Sequence, residues 1–190
     1  MRSDFRSEVS RVLAVLAEGG LLLYPTDTIW GIGCDATNEL AVAKIYDLKK
    51  RPSAKAMICL VADQFMLESH VKMVPDIAYD ILDLSEKPTT IIYDHPKGVA
   101  GNLIAKDNTL GIRVASDPFC QHLIKRFKKP LVATSANFAG GATPETFSEI
   151  EAEILAGVDY VVNLDHDSRK STPSAIIKLG SDGIVQVIRK

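Results

Sequence analysis

The sequence predicts an α/β fold, with a twisted, mixed parallel and antiparallel sheet flanked by helices. Short apolar runs alternate along the chain with segments in which apolar residues recur at helical spacing. The last two apolar runs are separated by a Ser-Asp-Gly turn at 181–183, a hairpin signal that adds antiparallel pairing to the sheet. The 190 residues are 46% hydrophobic, so we expect one domain over 1–190 with a sizeable core.

The first half of the chain is predicted to alternate between helix and strand. The expected elements are a helix that ends at Gly19-Gly20, a buried strand at 21–23, a helix from Thr37 or Asn38 that Pro52 terminates, a strand at 56–62, a helix from Asp63 to about Ser69, a helix at 75–84 and a strand at 87–93. The second helix is expected to bury a stripe of Leu40, Ala41, Ile45 and Leu48. Gly31 and Gly33 are expected to let the backbone turn close to a ligand or a neighbouring element.

The second half continues this alternation until the closing hairpin. The expected elements are a surface arch at 95–108, a strand at 110–114, a helix from Asp117-Pro118, a strand at 131–134, a glycine-containing loop at 135–141, an amphipathic helix from Thr143-Pro144, a strand at 158–163, a charged loop at 165–172 and hairpin strands at 174–179 and 184–188. Phe147, Ile150 and Leu155 form the predicted inward face of the amphipathic helix.

Composition restricts the compartment and the class of partner. The formal net charge of −2 offers no overall attraction for nucleic acid, so any binding of anions must be local. The three cysteines, Cys34, Cys59 and Cys120, are far apart and odd in number, which argues against a disulfide framework and favours a reduced compartment. The polar N-terminus and the absence of an apolar run of about 20 residues predict a cytoplasmic protein with no membrane segment.

A cluster of short oxygen-bearing side chains follows the first predicted strand. Tyr24-Pro25 ends the strand, and Thr26, Asp27 and Thr28 come directly after it. Side chains at a strand exit are well placed to meet a ligand at the edge of an α/β sheet. The same residue types also serve turns and helix caps, so a purely local turn is the alternative.

A dense cationic group follows one helix later. Lys49, Lys50, Arg51 and Lys55 lie in the last helical turn and the loop after it. The sequence contains no Gly-x-x-x-x-Gly-Lys-Ser/Thr motif, so a protein of this kind that handles phosphates must do so largely through side-chain cations. Basic residues in a last helical turn are also favoured by the helix dipole without any function, and this remains the alternative.

Two further strand regions carry polar residues. Thr109 and Arg113 belong to one strand, and Ser135 and Asn137 follow another. Arg113 stands in an otherwise apolar pattern, Gly-Ile-Arg-Val, where an unpaired charge would be costly to desolvate. It is expected either to pair with a carboxylate at the edge of the core or to grip the carboxylate or phosphate of a ligand.

Other candidate constellations are weaker. Asp165-His166-Asp167 contains metal-binding residue types, but adjacent residues cannot all converge on one ion, so a solvated loop is favoured and no metal site is predicted. The basic segment 125–129 is suited to RNA phosphates, and a charged surface at a helix end explains it equally well.

Three blocks of this sequence together resemble the YrdC/Sua5 family of threonylcarbamoyl-AMP synthases, in its short single-domain TsaC/YrdC form. They are Tyr24-Pro-Thr-Asp-Thr-Ile-Trp-Gly-Ile-Gly-Cys34, Leu48-Lys-Lys-Arg-Pro-x-x-Lys55 and Thr134-Ser-Ala-Asn137. They occur in the family's order, and the resemblance extends over essentially the whole chain. It implies a YrdC-like domain whose sheet and helices surround a concave cavity.

The resemblance also implies roles for individual residues. Those expected on the L-threonine side are Thr26, Arg113, which would hold the carboxylate, and Ser174. Those expected on the ATP side are Lys49, Arg51 and Lys55 at the phosphates, and Thr109, Ser135, Asn137, Thr143 and Arg189 around the nucleotide. Lys49 and Arg51 are the expected catalytic residues, because nucleotidyl transfer depends chiefly on positioning and on charge neutralisation.

The implied reaction joins L-threonine, bicarbonate and ATP into threonylcarbamoyl-AMP with release of pyrophosphate. Magnesium is expected on the ATP phosphates. The product would serve modification of the tRNA adenosine beside the anticodon, with downstream tRNA-modification proteins as partners. The threonine amine must be neutral to attack, and Asp27 is a candidate for its proton acceptor.

Two alternatives stay open at this point. The same fold is described as a binding module for double-stranded RNA or tRNA, and paralogues without synthase activity exist. Retention of Lys49-Lys50-Arg51 favours the enzyme over such a paralogue. Two departures from the family pattern concern the threonine pocket: Ala175 replaces the second residue of a Ser/Thr pair, and Leu60 replaces a histidine of the longer relatives.

Overall fold

The computed structural model describes residues 2–50, 57–164 and 172–190, with side chains from Phe5 onward. Within these ranges the strands are β1 (Leu22–Tyr24), β2 (Gly31–Gly33), β3 (Ile58–Val61), β4 (Thr89–Asp94), β5 (Thr109–Val114), β6 (Leu131–Ser135), β7 (Tyr160–Val161), β8 (Ala175–Leu179) and β9 (Val185–Arg189). The α-helices are α1 (Arg2–Ala17), α2 (Glu39–Leu48), α3 (Gln64–His70), α4 (Ile77–Leu84), α5 (Pro118–Phe127) and α6 (Ala152–Ala156).

The strands form one mixed sheet in the order β7-β1-β2-β6-β3-β5-β4-β8-β9. The pairs β1–β7, β3–β5 and β4–β8 are parallel, and the other neighbouring pairs are antiparallel. The predicted α/β fold with a mixed sheet is therefore confirmed. In the described parts of the chain, no helix is long and apolar enough to cross a bilayer.

Helices cover both faces of the sheet, and the side chains of β3 show how the faces are divided. Cys59 and Val61 belong to a core cluster shared with α2, α3 and α4. Leu60 and Ala62 belong to the opposite cluster, which α1 and α5 cover. This alternation follows from the two-residue period of a strand, and burial on both faces explains the uninterrupted apolar run from Met57 to Ala62.

Side-chain caps fix the starts of three helices. Asn38 accepts hydrogen bonds from the backbone at the start of α2, and Asp63 and Asp117 do the same for α3 and α5. After α1, Gly19 adopts a left-handed conformation with φ of +70°, and Gly20 N–H donates to the carbonyl of Val15. These boundaries agree with the predicted ones.

Gly31 and Gly33 lie in a strand, whereas a turn was expected. Residues 31–33 form β2, between β1 and β6. A Cβ on Gly33 would lie 2.4 Å from the carbonyl oxygen of Val132 and 2.6 Å from the Tyr24 ring. Glycine is therefore required here by the close approach of neighbouring strands, because a larger residue would collide with backbone.

Two other expectations were wrong in detail. Leu40 is 78% exposed, and the buried side of α2 consists of Ala41, Val42, Ile45 and Tyr46. The continuous helix expected from Thr143 is replaced by a short 3₁₀ turn, Phe147–Glu149, and α6, since Ile150 and Glu151 take extended backbone angles between them. Ile150 is nevertheless buried as predicted.

Candidate functional site

A cavity of about 280 Å³ opens where the ends of several strands meet. The predicted site residues that line it are Thr26, Arg113, Ser135, Thr143, Ser174 and Arg189. They come from the exit of β1, from β5, from the end of β6 and the loop after it, and from both strands of the closing hairpin. Side chains as far apart in the sequence as Thr26 and Arg189 therefore meet in one place.

The cavity lies on the sheet face that carries α1 and α5. Ala133 belongs to the core cluster under these helices, and Ile58 packs against that cluster. Arg113 stands opposite Leu60, another member of the cluster, in the β3–β5 register. Ile58 and Ala133 also line the cavity, so its floor is apolar and continuous with the core.

Thr26 organises the turn that leaves β1. Its Oγ1 accepts hydrogen bonds from the backbone N–H groups of Thr28 and Ile29, at 3.1 and 3.2 Å, and donates to the Ile29 carbonyl at 2.7 Å. Both threonines are buried and both line the cavity. For Thr26, Asp27 and Thr28 the sequence left open a ligand site or a local turn. The segment is a turn, and its two threonines line the cavity.

Arg113 combines the two arrangements considered for it. Its Nη2 lies 2.8 Å from Oδ1 of Asp27, and both side chains are almost fully buried, at 4% and 7% exposure. The same guanidinium lines the cavity. Arg113 thus has its expected carboxylate partner, and donor hydrogens remain beyond this contact because a guanidinium carries five.

The closing hairpin supplies another wall. Ser174, at the start of β8, shares a hydrogen bond of 2.8 Å between its hydroxyl and that of the buried Thr90. Its carbonyl oxygen accepts hydrogen bonds from Nε and Nη2 of Arg189, at 3.0 and 2.8 Å. Arg189 therefore reaches from β9 across the start of β8 toward the cavity, held by a backbone group.

Lys49, which was expected at the ATP phosphates, is buried. Its side chain is 1% exposed, and its Nζ donates to the backbone carbonyls of Ser135 and Asn137. Its own carbonyl accepts a hydrogen bond from Ala139 N–H at 3.0 Å. Lys49 thus joins the end of α2 to the loop after β6, because a buried ammonium must have acceptors and these carbonyls provide them.

The side chain of Asn137, which was expected around the nucleotide, bonds to its own loop and does not line this cavity. Its Nδ2 donates to the carbonyls of Phe138 and Gly141, at 3.0 and 2.7 Å. The residue is 7% exposed and supports its own loop. Ser135, two residues earlier, does line the cavity. The cause is local, because an Asn amide readily bonds to the backbone of a tight glycine-containing loop.

Thr109 lies away from the site. It begins β5, and Arg113 stands near the other end of that strand, so the two are about 13 Å apart at 3.3 Å per residue. Its hydroxyl donates to Asp107 at 2.8 Å. Thr109 does not line this cavity, and its place at the nucleotide stays a prediction. Arg51 and Lys55 lie outside the described residues.

Several residues that line or support the cavity had been assigned no individual role from the sequence. Thr28 and Thr134 line the cavity beside predicted residues, and their position within the same two motifs was an available signal. Ser116 and Thr90 support Asp27 and Ser174 from other strands or loops. Nothing in a linear sequence marks such partners, since they are set by strand order.

The fold and the cavity define an α/β protein with a cavity lined by arginine and hydroxyl-bearing side chains. The Sua5/YciO/YrdC family, described as "Telomere recombination", matches residues 14–190, and the chain belongs to this family. The resemblance recognised in the sequence is thus confirmed.

Curated relatives agree on one activity. A putative threonylcarbamoyl-AMP synthase of Methanocaldococcus jannaschii is 36% identical over 173 residues, which are 90% of this chain and 80% of the relative. Threonylcarbamoyl-AMP synthases of Idiomarina loihiensis and Escherichia coli are 31% and 30% identical, and the matches cover 83% and 82% of this chain and 86% and 84% of theirs.

Solved structures share the fold. E. coli YciO has a TM-score of 0.82 at 24% identity, with 96% of this chain and 88% of YciO covered. P. abyssi Sua5 in complex with L-threonine has a TM-score of 0.78 at 23% identity, with 90% of this chain covered. This chain spans 50% of that Sua5 chain.

Proposed function

We propose that this protein is an L-threonylcarbamoyladenylate synthase, a nucleotidyltransferase that makes threonylcarbamoyl-AMP and pyrophosphate from L-threonine, bicarbonate and ATP. The observation that carries the proposal is the single cavity that brings Thr26, Arg113, Ser135, Ser174 and Arg189 together. The names of the curated relatives support the same activity. A cavity of about 280 Å³ is near the small end of the range for small-molecule sites, which favours this proposal over an RNA-binding module.

The threonine side of the site is assigned to Arg113, Thr26 and Ser174. Arg113 offers charge-assisted donors to the amino-acid carboxylate on a rigid strand. Thr26 and Ser174 present hydroxyl groups whose positions are fixed by hydrogen bonds to their surroundings. Bonds to both carboxylate and hydroxyl would separate threonine from amino acids that lack a side-chain hydroxyl.

The nucleotide side is assigned to Ser135, Thr143 and Arg189, with Arg51 and Lys55 at the phosphates. The first three line the cavity. Magnesium is placed on the ATP phosphates, whose oxygens are the hard ligands it prefers. Lys49 would act here by holding the loop of Ser135, because its ammonium bonds to that loop's carbonyls.

These residues serve the reaction mainly by positioning. A neutral threonine amine forms a bond to the carbon of bicarbonate, from which a C–O bond breaks so that water leaves and a carbamate results. An oxygen of this carbamate attacks the α-phosphorus while pyrophosphate leaves. Cationic groups stabilise the charge that develops on the phosphates. Fixed donors on both sides of the cavity hold the reactants close enough for each bond to form.

The experiment that tests the proposal measures pyrophosphate release by the purified protein. Release should require L-threonine, bicarbonate and ATP together, and omission of any one of them should abolish it. Mass spectrometry should identify threonylcarbamoyl-AMP as the second product. Pyrophosphate release that does not depend on threonine would contradict the assignment.

The biological setting is also a proposal. We place the activity in the cytoplasm, where its product would supply threonylcarbamoyl modification of the tRNA adenosine beside the anticodon, with tRNA-modification proteins consuming it. The domain is taken to extend over 1–190, in keeping with the family match over 14–190.

A further inference from the structure

The carboxylate of Asp27 holds the cavity residue Arg113. Arg113 is 3% exposed, and its Nε is buried without a hydrogen-bond partner among the described residues. Its Nη2 is fixed by Asp27 at 2.8 Å. One nitrogen of the side chain therefore contacts Asp27, and another carries a donor hydrogen without a partner in the described parts of the chain.

Asp27 is itself fixed from the other side. Its Oδ2 accepts hydrogen bonds from the backbone N–H and the hydroxyl of Ser116, at 3.2 and 2.7 Å. Ser116 follows the end of β5, the strand that carries Arg113. The carboxylate thus bridges the turn after β1 to the segment after β5, with one oxygen on each partner.

This bridge affects two groups of the proposed threonine site, the Thr26 hydroxyl and the Arg113 guanidinium. Asp27 directly follows Thr26 in the same turn, so the ion pair sets the distance between the Thr26 hydroxyl and the Arg113 guanidinium. An arginine side chain has many rotamers, and holding one of them in advance reduces the entropy lost when a ligand binds.

We propose that Asp27, held by Ser116, is a positioning residue that orients Arg113 toward the carboxylate of the amino-acid substrate. The inference rests on the proposed synthase activity and deepens it. It also replaces the expectation of Asp27 as proton acceptor, because one carboxylate oxygen contacts Arg113 and the other Ser116. Asp27 would act through Arg113 and would not touch the reacting atoms.

The test compares steady-state kinetics of pyrophosphate release in Asp27→Asn and Ser116→Ala with the wild type. In Asp27→Asn, the KM for threonine should rise about tenfold or more, because a disoriented guanidinium loses at least one charge-assisted bond. The KM for ATP should change less than about twofold. Ser116→Ala should move the threonine KM in the same direction by a smaller factor, and it retains the ion pair.

A double variant separates positioning from general support of the fold. If Asp27 acts through Arg113, adding Asp27→Asn to Arg113→Lys should raise the threonine KM little beyond the effect of Arg113→Lys alone. Asp35→Asn is the matched control, because Asp35 is also buried and paired, with Lys129 at 2.6 Å, and does not line the cavity. It should lower stability without moving the threonine KM.

The outcomes are distinct. An active wild type whose threonine KM is unchanged in Asp27→Asn and Ser116→Ala would overturn this role for Asp27 and leave the synthase assignment intact. Equal rises in the threonine and ATP KM values would indicate a structural role and also overturn it. A wild type that releases no pyrophosphate would overturn the synthase assignment and, with it, the role of Asp27.

Discussion

Arg113 shows how much a single charged residue in an apolar strand can reveal. Its burial required a partner, and the structure supplies Asp27 at 2.8 Å while keeping the guanidinium at the cavity. The two explanations considered from the sequence were not exclusive. A buried ion pair is a weak source of stability, and its position beside the cavity fits the proposed recognition of an anionic group.

The first prediction at the residue scale concerns Arg113→Lys. Lysine keeps the charge but lacks the planar fork of donors, so the KM for threonine should rise about tenfold, which corresponds to about 1.4 kcal/mol. The KM for ATP should change much less. Steady-state pyrophosphate release with each substrate varied in turn measures both values. If the KM for ATP rose while the KM for threonine stayed normal, the assignment of the threonine and ATP sides of the cavity would have to be reversed.

The second prediction concerns Arg51, which follows Lys49 and Lys50 in a chain with no P-loop motif. Arg51→Ala should weaken ATP binding by more than about tenfold, because a charge-assisted bond to phosphate is worth roughly 1.5–3 kcal/mol. The midpoint of urea unfolding should stay close to that of the wild type. Calorimetry that shows unchanged ATP affinity would remove this residue from the site.

Residue types were easier to predict than side-chain directions. Arg113, Thr26 and Ser135 line the cavity as the motifs suggested, whereas Asn137 turns back onto its own loop and Lys49 is buried. Both exceptions bond to backbone carbonyls of the loop after β6. The geometry of that loop depends on tertiary contacts, so a motif alone does not determine where these two side chains point.

At the scale of elements, Lys49 connects the end of α2 to the loop that carries Ser135. Its ammonium reaches two loop carbonyls, and its own carbonyl accepts from Ala139. The neighbouring Lys50 lies over the ring of Phe138, with Nζ 4.8 Å from the ring centre. Helix and loop are therefore joined through consecutive lysines with different kinds of contact.

The third prediction follows from this connection. Lys49→Met keeps the length and the apolar stem of the side chain but leaves two carbonyls without their donor, so the free energy of unfolding should fall by about 1–3 kcal/mol in urea titrations. ATP affinity should also fall, because Ser135 loses its support. Lys50→Met is the control and should cost about 1 kcal/mol or less. A stable Lys49→Met variant that fails to bind ATP would instead indicate a direct phosphate contact.

Element boundaries followed the sequence wherever a cap or a clear period marked them. Asn38, Asp63 and Asp117 start their helices as predicted. The failures occurred where packing overrides local preference. Residues 31–33 form a strand, in which Gly33 lies too close to the Val132 carbonyl for a side chain. This contact is visible only in the assembled sheet.

At the scale of the whole molecule, the three cysteines report on solvent access to the core. All three are buried and free. Burial raises the pKa of Cys59 from 9.0 to about 12, and the pKa values of Cys34 and Cys120 are raised in the same way. A thiol whose pKa is raised in the folded protein stabilises the folded state. This contribution is complete below pH 9 and is lost as the pH rises above that value.

The fourth prediction is therefore a loss of stability at alkaline pH. Between pH 9 and 11, each thiol that ionises only after unfolding should lower the free energy of unfolding by about 1.4 kcal/mol per pH unit. Urea titrations at several pH values measure this slope. Cys59→Ala should reduce it by the share of one thiol, and an unchanged slope would show that Cys59 ionises in the folded protein.

The order of the strands in the sheet could not be predicted from the sequence, and this order affects the rate of folding. Gly31 pairs with Ser135, Leu22 with Tyr160 and Thr89 with Ala175, so neighbouring strands are distant along the chain. Closing such long loops early is entropically unfavourable, and folds of this kind form slowly. Both residues of the Gly31–Ser135 pair line the cavity, so the cavity should be completed only late in folding. A partly folded chain would then consume no ATP, and newly made protein would gain its activity all at once.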